Sequence, residues 1–270
     1  MSNQIFIPLL MTLIAGLATV VGGFFTFAIK RDNLKALSVG LGFSAGVMIY
    51  LSFTEIITGA SELLSKFFPH NYPWMVLGGF IFGIIVAILI DFFIPDHIEN
   101  DLFTASEGDC QEGEFHCDHH HRIKRAGLLT AIAICIHNFP EGLATFLVST
   151  QDITLGLSVA VAIAIHNIPE GIAVALPIYH VTGKKRYALW YSFLAGISEP
   201  IGAIIGICLI NALMPQMFVG FLFAAVAGIM IYISFDTLLP LSKEYGNWHL
   251  TMWGIMAGII FIWAGLILLH

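Results

Sequence analysis

Charged side chains are scarce in this sequence. Only 11% of its 270 residues are Asp, Glu, Lys or Arg, whereas 58% are hydrophobic. Soluble domains carry about 25% charged residues, so this chain has too little polar surface to cover a fold in water. The shortage excludes an ordinary soluble protein. The eleven basic residues form no large cluster, so nothing in the composition indicates nucleic-acid binding.

Cysteine is also scarce, and a basic leader is missing. Of four cysteines, Cys135 and Cys208 lie in apolar runs, while Cys110 and Cys117 share a polar segment with histidines. This distribution argues against a disulfide framework and favours a thiol–imidazole segment. The first apolar run follows Met-Ser-Asn-Gln with no basic residue before it and is longer than a signal-peptide core, which predicts a retained membrane span.

Long apolar runs are what the sequence has in abundance. About 20 apolar residues cross a bilayer as a helix, and a backbone in lipid must satisfy its own hydrogen bonds. Uninterrupted runs of this length therefore predict an all-α membrane protein. The eight spans are predicted at Ile5–Ile29, Ala36–Ile57, Met75–Ile94, Ala126–Ser149, Ile153–Tyr179, Tyr187–Leu213, Met217–Leu241 and Leu250–Leu269.

The basic residues predict how these spans are oriented, because cytoplasmic loops are enriched in Lys and Arg. Ten of the eleven basic residues lie between spans one and two, three and four, five and six, or seven and eight. Only Lys66 lies in a loop of the other set. Both termini are therefore predicted on the outer side of the membrane. If the number of spans were wrong, the basic residues would be divided between cytoplasmic and outer loops, which is not the case.

One long polar segment, at 95–125, interrupts the apolar runs. It is rich in acids and lacks periodicity, which predicts a mobile, His-rich cytoplasmic loop within a single membrane domain at 1–270. Its thiol and imidazoles indicate weak metal capture or sensing, the alternative being a solvated tract. These side chains are His116, Cys117, His119, His120 and His121.

Two pairs of segments repeat within the chain. Ile134–Gly142 reads ICIHNFPEG and Ile163–Gly171 reads IAIHNIPEG, while Ala45–Phe53 and Ala227–Phe235 share the pattern AGxMIYxSF. These repeats pair span four with span five and span two with span seven, so the members of each pair cross the membrane in opposite senses. Inverted repeats of this kind are typical of transporters. They predict a 3+2+3 arrangement of helices.

The ionisable residues within the spans are all acids and histidines. Each costs about 2.5–3.5 kcal/mol to insert at the middle of a helix, so their presence needs a reason. No Lys or Arg accompanies them, and the acids must therefore be protonated, hydrated or compensated by a bound cation. They are Glu55, Asp91, His137, Glu141, His166, Glu170, Glu199 and Asp236.

The duplicated His-Asn-x-Pro-Glu-Gly motif predicts a metal site. His137 and Glu141 are one helical turn apart, as are His166 and Glu170. Imidazole nitrogen with carboxylate oxygen suits zinc and its first-row neighbours. The proline of each motif removes a backbone donor and disturbs the helix, which leaves room for water and an ion. The competing interpretation is a structural hydrogen bond between helices.

Three further residues extend this predicted site. Asn138 and Asn167 lie about 100° round the helix from their histidines, near enough to border the same cavity. Glu199 precedes Pro200, which should free the carbonyl of Gly196. One metal or two close together would fit. The predicted metal ligands are His137, Asn138, Glu141, His166, Asn167, Glu170 and Glu199.

Candidates for the pore lining lie outside that motif. Glu55 and Asp236 each follow one of the AGxMIYxSF segments. Asp236 lies near the end of its span, so an interfacial position is the alternative for it. Met48 is either a packing residue or a thioether facing the pore.

These features together resemble the ZIP (Zrt/Irt-like) metal transporters, and among them the bacterial ZupT branch. The resemblance rests on the doubled motif, the eight spans and the His-rich segment. It implies import of Zn²⁺, and also of Fe²⁺, Mn²⁺, Co²⁺ or Cd²⁺, across the bacterial inner membrane. It further implies that the seven predicted ligands hold the metal as substrate, that Glu55 lines the pore and that a homodimer is possible. Some relatives carry an acid where this chain has Asn167, so the amide lowers the charge at a second metal position.

An intramembrane zinc hydrolase and a metal-gated sensor are the alternative functions. A catalytic zinc site takes three protein ligands and a water, commonly with the Glu of a His-Glu-x-x-His motif. That motif does not occur in the sequence, and inverted repeats fit alternating access better than catalysis. We therefore predict a transporter and not an enzyme, with no catalytic cofactor.

Deletion of Glu107–His121 tests the role of the polar segment. Because the segment is predicted to lie outside the ion path, the deletion should change the apparent zinc affinity or its regulation and leave transport intact. Zinc uptake by vesicles over a range of concentrations measures both quantities. Complete loss of uptake would instead place the segment in the path.

Overall fold

The computed structural model describes residues 2–30, 33–93, 114–151, 153–210 and 216–269, and these ranges contain helices and no strand. Eight of the helices are long and apolar enough to cross a membrane. The prediction of an all-α protein with eight spans is therefore confirmed. The side of the membrane on which the termini lie stays a prediction from charge.

The spanning helices are numbered here α1 to α8 in chain order. A 3₁₀ turn at Thr26–Ala28 follows α1, and a five-residue π turn interrupts both α2 and α7. The helices are α1 (Ser2–Phe25), α2 (Leu34–Leu51, π turn Ser52–Ile56, then Ile57–Ser65), α3 (Tyr72–Phe93), α4 (Glu114–Gln151), α5 (Ile153–Thr182), α6 (Lys185–Ile210), α7 (Gln216–Ile233, π turn Ser234–Leu238, then Leu239–Tyr245) and α8 (Trp248–Leu269).

Helix α4 begins earlier than predicted. The polar loop was expected to reach residue 125, but the helix starts at Glu114, so the prediction of irregular structure is wrong for 114–125. Glu, Arg and Lys are good helix formers. Once a helix is nucleated in the membrane, each further residue that joins it is ordered in exchange for one new hydrogen bond, so extension is easier than nucleation. Residues 95–113 and the side chains of 116–121 lie outside the described part of the chain.

The helices form an inner group and two flanking pairs. Helices α1, α4, α5 and α6 pack together, while α2 pairs with α8 and α3 pairs with α7. The most buried spans are α5, α4, α2 and α7, at 65%, 62%, 61% and 61%, and the least buried are α3 and α8, at 22% and 28%. Helices α3 and α8 expose large apolar side chains such as Phe92 and Trp253, as expected of surfaces that face lipid.

Close backbone contacts show the inverted repeat in three dimensions. A Cβ atom at Gly22 of α1 would collide with the carbonyl oxygen of Ile168 on α5, and one at Gly202 of α6 would collide with that of Phe139 on α4. Ile168 and Phe139 are equivalent positions of the two motifs. Helix α6 therefore packs on α4 as α1 packs on α5. The outer pairs correspond in the same way, so the predicted inverted repeat is confirmed.

The π turns of α2 and α7 occupy equivalent positions of the second repeat. The hydroxyl of Ser52 donates to the carbonyl of Met48 at 2.7 Å, and that of Ser234 donates to Met230 at 2.8 Å. A serine that hydrogen-bonds four residues back competes with the backbone donor and bends the helix. Each π turn contains one acid, which is Glu55 in α2 and Asp236 in α7.

The close contact between α3 and α7 can be tested at Gly83. A methyl group there would collide with the carbonyl oxygen of Ala225, whereas one at Gly78 of the same helix meets nothing within 4 Å. Gly83→Ala should destabilise the protein by about 1–3 kcal/mol, as over-packing does, and Gly78→Ala should not. Thermal unfolding in detergent measures both variants, and equal melting temperatures would contradict the packing described.

Candidate metal site

Two hydrogen bonds cross between α4 and α5 at the middle of the inner group. The Nε2 atom of His137 lies 2.9 Å from Oε1 of Glu170, and Nε2 of His166 lies 3.2 Å from Oε2 of Glu141. All four residues are buried. The helical spacing predicted that each His shares a face with the Glu of its own motif. The structure adds that each His bonds the Glu of the other motif.

Neighbouring helices approach this pair closely because the motif ends in glycine. A Cβ atom at Gly142 would collide with the carbonyl oxygen of Glu199 on α6, and one at Gly171 would collide with that of Thr19 on α1. Glu141 and Glu170 each directly precede one of these glycines in the sequence. Helices α1 and α6 are therefore held against the two sides of the His–Glu cluster.

The asparagines of the motif use their amide nitrogens for helix packing. Nδ2 of Asn138 donates to the carbonyl of Ala195 on α6 at 3.2 Å, and Nδ2 of Asn167 donates to that of Ala15 on α1 at 2.9 Å. In the described part of the chain, Oδ1 of both side chains has no hydrogen-bond partner. The amide orientation thus leaves an oxygen acceptor unused on each helix.

Glu199 joins the cluster, as the sequence predicted. It is fully buried, and Oε1 accepts a short hydrogen bond from Nδ2 of Asn167. The carbonyl of Gly196, four residues before Pro200, lies against the backbone of Gly16 on α1. This contact depends on where α1 and α6 cross, which the proline alone does not predict.

Buried acceptors outnumber donors in this cluster. A buried polar atom that loses its partner costs about 1–3 kcal/mol, so several together require compensation. No Lys or Arg lies in these segments of α4, α5 and α6 to supply it. Among the described residues, the atoms without a hydrogen-bond partner include His137 Nδ1, Asn138 Oδ1, Glu141 Oε1, Asn167 Oδ1, Glu170 Oε2 and Glu199 Oε2.

The cluster is not an assembled coordination sphere. Nowhere in 2–30, 33–93, 114–151, 153–210 and 216–269 do three or more His, Cys, Asp or Glu side chains form a group that could hold a metal ion as they stand. The crossed hydrogen bonds occupy one nitrogen of each histidine and one oxygen of Glu141 and Glu170. A cation would therefore have to replace these bonds in order to bind.

The predicted pore residues lie apart from the buried cluster. Met48 is fully buried in the apolar core with Met230, which favours the packing role. Glu55 and Asp236 are exposed in their π turns. Tyr232 of α7 lies close to both Asp236 and Asp91 of α3, so these two acids share a neighbour.

Sequence reasoning missed the contribution of α1. Ala15, which accepts from the Asn167 amide, and Thr19 correspond to Ala195 and Glu199 in the packing against the motif helices. A signal for this existed. The pattern Ala-Gly with a further glycine six residues on occurs in α1 at 15–22 and in α6 at 195–202.

Comparison with known proteins identifies the family. The family described as ZIP Zinc transporter matches residues 95–265. The zinc transporter ZupT of Akkermansia muciniphila is 46% identical, with 96% of each chain covered. The ZupT proteins of Streptococcus mutans and Nitratidesulfovibrio vulgaris are 45% and 49% identical, over 99% and 92% of each chain. The chain belongs to the ZIP family.

Membership of the ZIP family agrees with the architecture. The match covers α4 to α7 and most of α8, and the ZupT relatives extend it over α1 to α3. The protein is a multi-pass integral membrane protein, as its eight apolar helices also show. The resemblance predicted from the doubled motif is confirmed.

Asn167→Asp tests the charge balance of the cluster. The substitution replaces a donor to Ala15 and Glu199 with a second carboxylate beside Glu199. It should lower the melting temperature without metal by at least about 4 °C, the shift that roughly 2 kcal/mol produces in a chain of this size. Added Zn²⁺ should raise the melting temperature of the variant more than that of the native protein.

The matched control is Asn33→Asp, at the start of α2. Asn33 accepts from the backbone of Ala36 at 3.1 Å and is exposed, and Asp caps a helix as well as Asn does. This variant should melt like the native protein with and without metal. An Asn167→Asp protein with an unchanged melting temperature would show that the cluster is not short of positive charge.

Proposed function

We propose that this chain transports Zn²⁺ across the cell membrane into the cytoplasm, through the buried His–Glu–Asn cluster between α4, α5 and α6. Family membership and the relatives named zinc transporters support the proposal. The observation that carries it is the surplus of buried acceptor atoms around the crossed His–Glu bonds. A dication supplies the positive charge that these acceptors lack.

The donor set suits zinc. Zinc takes imidazole nitrogen and carboxylate oxygen, and no thiolate lies in the cluster to hold it too tightly. On this proposal the ligands are those predicted from the motif, with the amide oxygens as neutral donors. Fe²⁺, Mn²⁺, Co²⁺ and Cd²⁺ accept the same donor types to differing degrees and are proposed as competing substrates. The proposed metal ligands are His137, Asn138, Glu141, His166, Asn167, Glu170 and Glu199.

The crossed hydrogen bonds give a route for binding and release. An arriving cation takes the carboxylates of Glu141 and Glu170, together with imidazole nitrogen, in place of the His–Glu bonds. When the cation leaves, the same bonds re-form at 2.9 Å and 3.2 Å and satisfy the buried groups. Conduction requires binding that is favourable but reversible, and an exchange of ligands for hydrogen bonds meets this requirement.

Acids also lie on both sides of the cluster along the membrane normal. With the termini outside, α2 runs outward, so Glu55 belongs to the outer half of the membrane. Helix α7 runs inward, so Asp236 belongs to the cytoplasmic half. We propose these two exposed carboxylates as stations of the path, and the histidines of 116–121 as weak cytoplasmic capture. Transport accounts for an inverted repeat around a buried site better than hydrolysis or sensing does.

Shape-preserving substitutions of the motif acids test the proposal. Glu141→Gln and Glu170→Gln each remove the negative charge of a proposed ligand, and even a hydrogen bond to a charged group is worth about 1.5–3 kcal/mol. Each should reduce zinc uptake by about tenfold or more. Uptake of radioactive zinc into proteoliposomes that contain the purified protein measures the effect.

Glu62→Gln is the control. Glu62 is likewise an acid of a membrane-spanning helix, α2, but its side chain is exposed and lies outside the cluster. This variant should transport like the native protein. Gel filtration of all three variants separates loss of ligand from loss of fold. Native vesicles that take up no zinc, or motif variants that transport normally, would overturn the proposed function.

A further inference from the structure

The inverted repeat is broken at one position beside the cluster. A Cβ atom at Gly16 of α1 would lie 3.4 Å from Cβ of Glu199, and one at Gly196 of α6 would lie 3.3 Å from Cβ of Thr19. Glu199 and Thr19 therefore stand on opposite sides of the same helix crossing. One half of the repeat carries a carboxylate at this place, and the other half carries a hydroxyl.

The hydroxyl of Thr19 is buried and unused. Thr19 is 0% exposed, and within the described ranges its Oγ1 has no hydrogen-bond partner. Thr12 of α1 and Thr26 of the 3₁₀ turn that follows it are also 0% exposed, but they donate to carbonyls three residues back, at 2.8 Å and 2.6 Å. A buried hydroxyl on this helix thus normally bonds the preceding turn.

Other helices contact the two carbonyls that lie within reach of Thr19 along α1. The carbonyl four residues back, that of Ala15, accepts from Nδ2 of Asn167 at 2.9 Å. The carbonyl three residues back, that of Gly16, lies against the backbone of Gly196. The hydroxyl of Thr19 thus lies unpaired among the described residues, beside the helix contacts that also build the site.

The repeat also shows which residue on α4 corresponds to the partner of Glu199. On the charged half, Asn167 donates to Glu199. Its equivalent on the other half is Asn138, whose amide donates to Ala195 and whose Oδ1 is unpaired among the described residues. A hydroxyl and an amide oxygen, both unpaired, thus occupy the positions that correspond to Glu199 and Asn167.

We propose that Thr19 belongs to the metal site, where its hydroxyl and Asn138 form a neutral half that binds the transported dication or a water held by it. Three carboxylates, Glu141, Glu170 and Glu199, then carry enough negative charge to neutralise one dication but not two. Threonine in place of a fourth acid limits the site to a single tightly held ion. This inference rests on the proposed function.

Zinc binding to the purified protein in detergent tests the role of the hydroxyl. Thr19→Val keeps the shape and removes the hydroxyl, so it should weaken zinc binding about fivefold, the effect of one hydrogen bond of about 1 kcal/mol. Thr19→Ser keeps the hydroxyl and should bind within about twofold of the native protein. Competition with a chromogenic chelator measures the affinity.

Thr12→Val is the matched control, since it removes an equally buried hydroxyl that is already paired within α1. It should leave the affinity unchanged. Thr19→Glu supplies the missing acid and should raise the tightly bound zinc from one ion per chain to two, counted by elemental analysis after desalting. Where Thr19→Glu does not fold, the Val and Ser pair decides.

Native affinity in Thr19→Val, or equal losses in Thr19→Val and Thr19→Ser, would overturn the role of Thr19 and leave the transport proposal standing. Conversely, native protein that binds zinc but moves none in proteoliposomes would overturn transport and leave the binding role intact. A native protein that binds no zinc would overturn both.

Discussion

The constraint on which this structure depends is the burial of hydrogen-bond acceptors without matching donors. Two His–Glu bonds between α4 and α5 satisfy part of the cluster, and atoms such as Oε2 of Glu170 and Glu199 stay unpaired among the described residues. Burying an unpaired charge in an apolar medium is so costly that such groups normally change protonation or acquire a partner. A mobile cation is a partner that can also leave, which a basic side chain cannot do.

Glycine contacts make this cluster possible. Gly142 and Gly171 let the backbones of α6 and α1 touch the motif helices, and each contact joins a carbonyl to a position where a side chain would collide. Backbone contacts of this kind are short and stiff, whereas long side chains adapt. The helices are therefore positioned by glycine, and the polar side chains are left free to form the cluster. The same kind of backbone contact occurs at Gly83 of α3 and at Gly258 of α8.

The sequence predicted the fold better than it predicted the details of the site. Span lengths follow directly from lipid thickness, so eight helices were predictable, and the doubled motif identified which residues cluster. The crossed pairing of His137 with Glu170 was not predictable, because periodicity describes one helix and not its neighbour. Helix 114–125 was missed because polar composition was taken for irregular structure. The partners of Asn138 and Asn167 depend on where α1 and α6 cross, which only packing decides.

The two halves of the inverted repeat share closely similar backbone packing, so the positions at which their side chains differ are informative. Thr19 stands where the repeat has Glu199, and Asp236 of α7 corresponds to Thr54 of α2, one residue before Glu55. One residue on a helix is a rotation of about 100°, so Glu55 and Asp236 do not lie on equivalent faces of their helices. Such differences cannot set the direction of net flux, which the gradient of the ion determines. On the proposed function, they set how tightly the ion is held on each side, and thus which step of transport is slow. An inverted repeat with identical side chains would present the same groups to both sides of the membrane, whereas the two halves of this chain differ at Thr19 and Glu199.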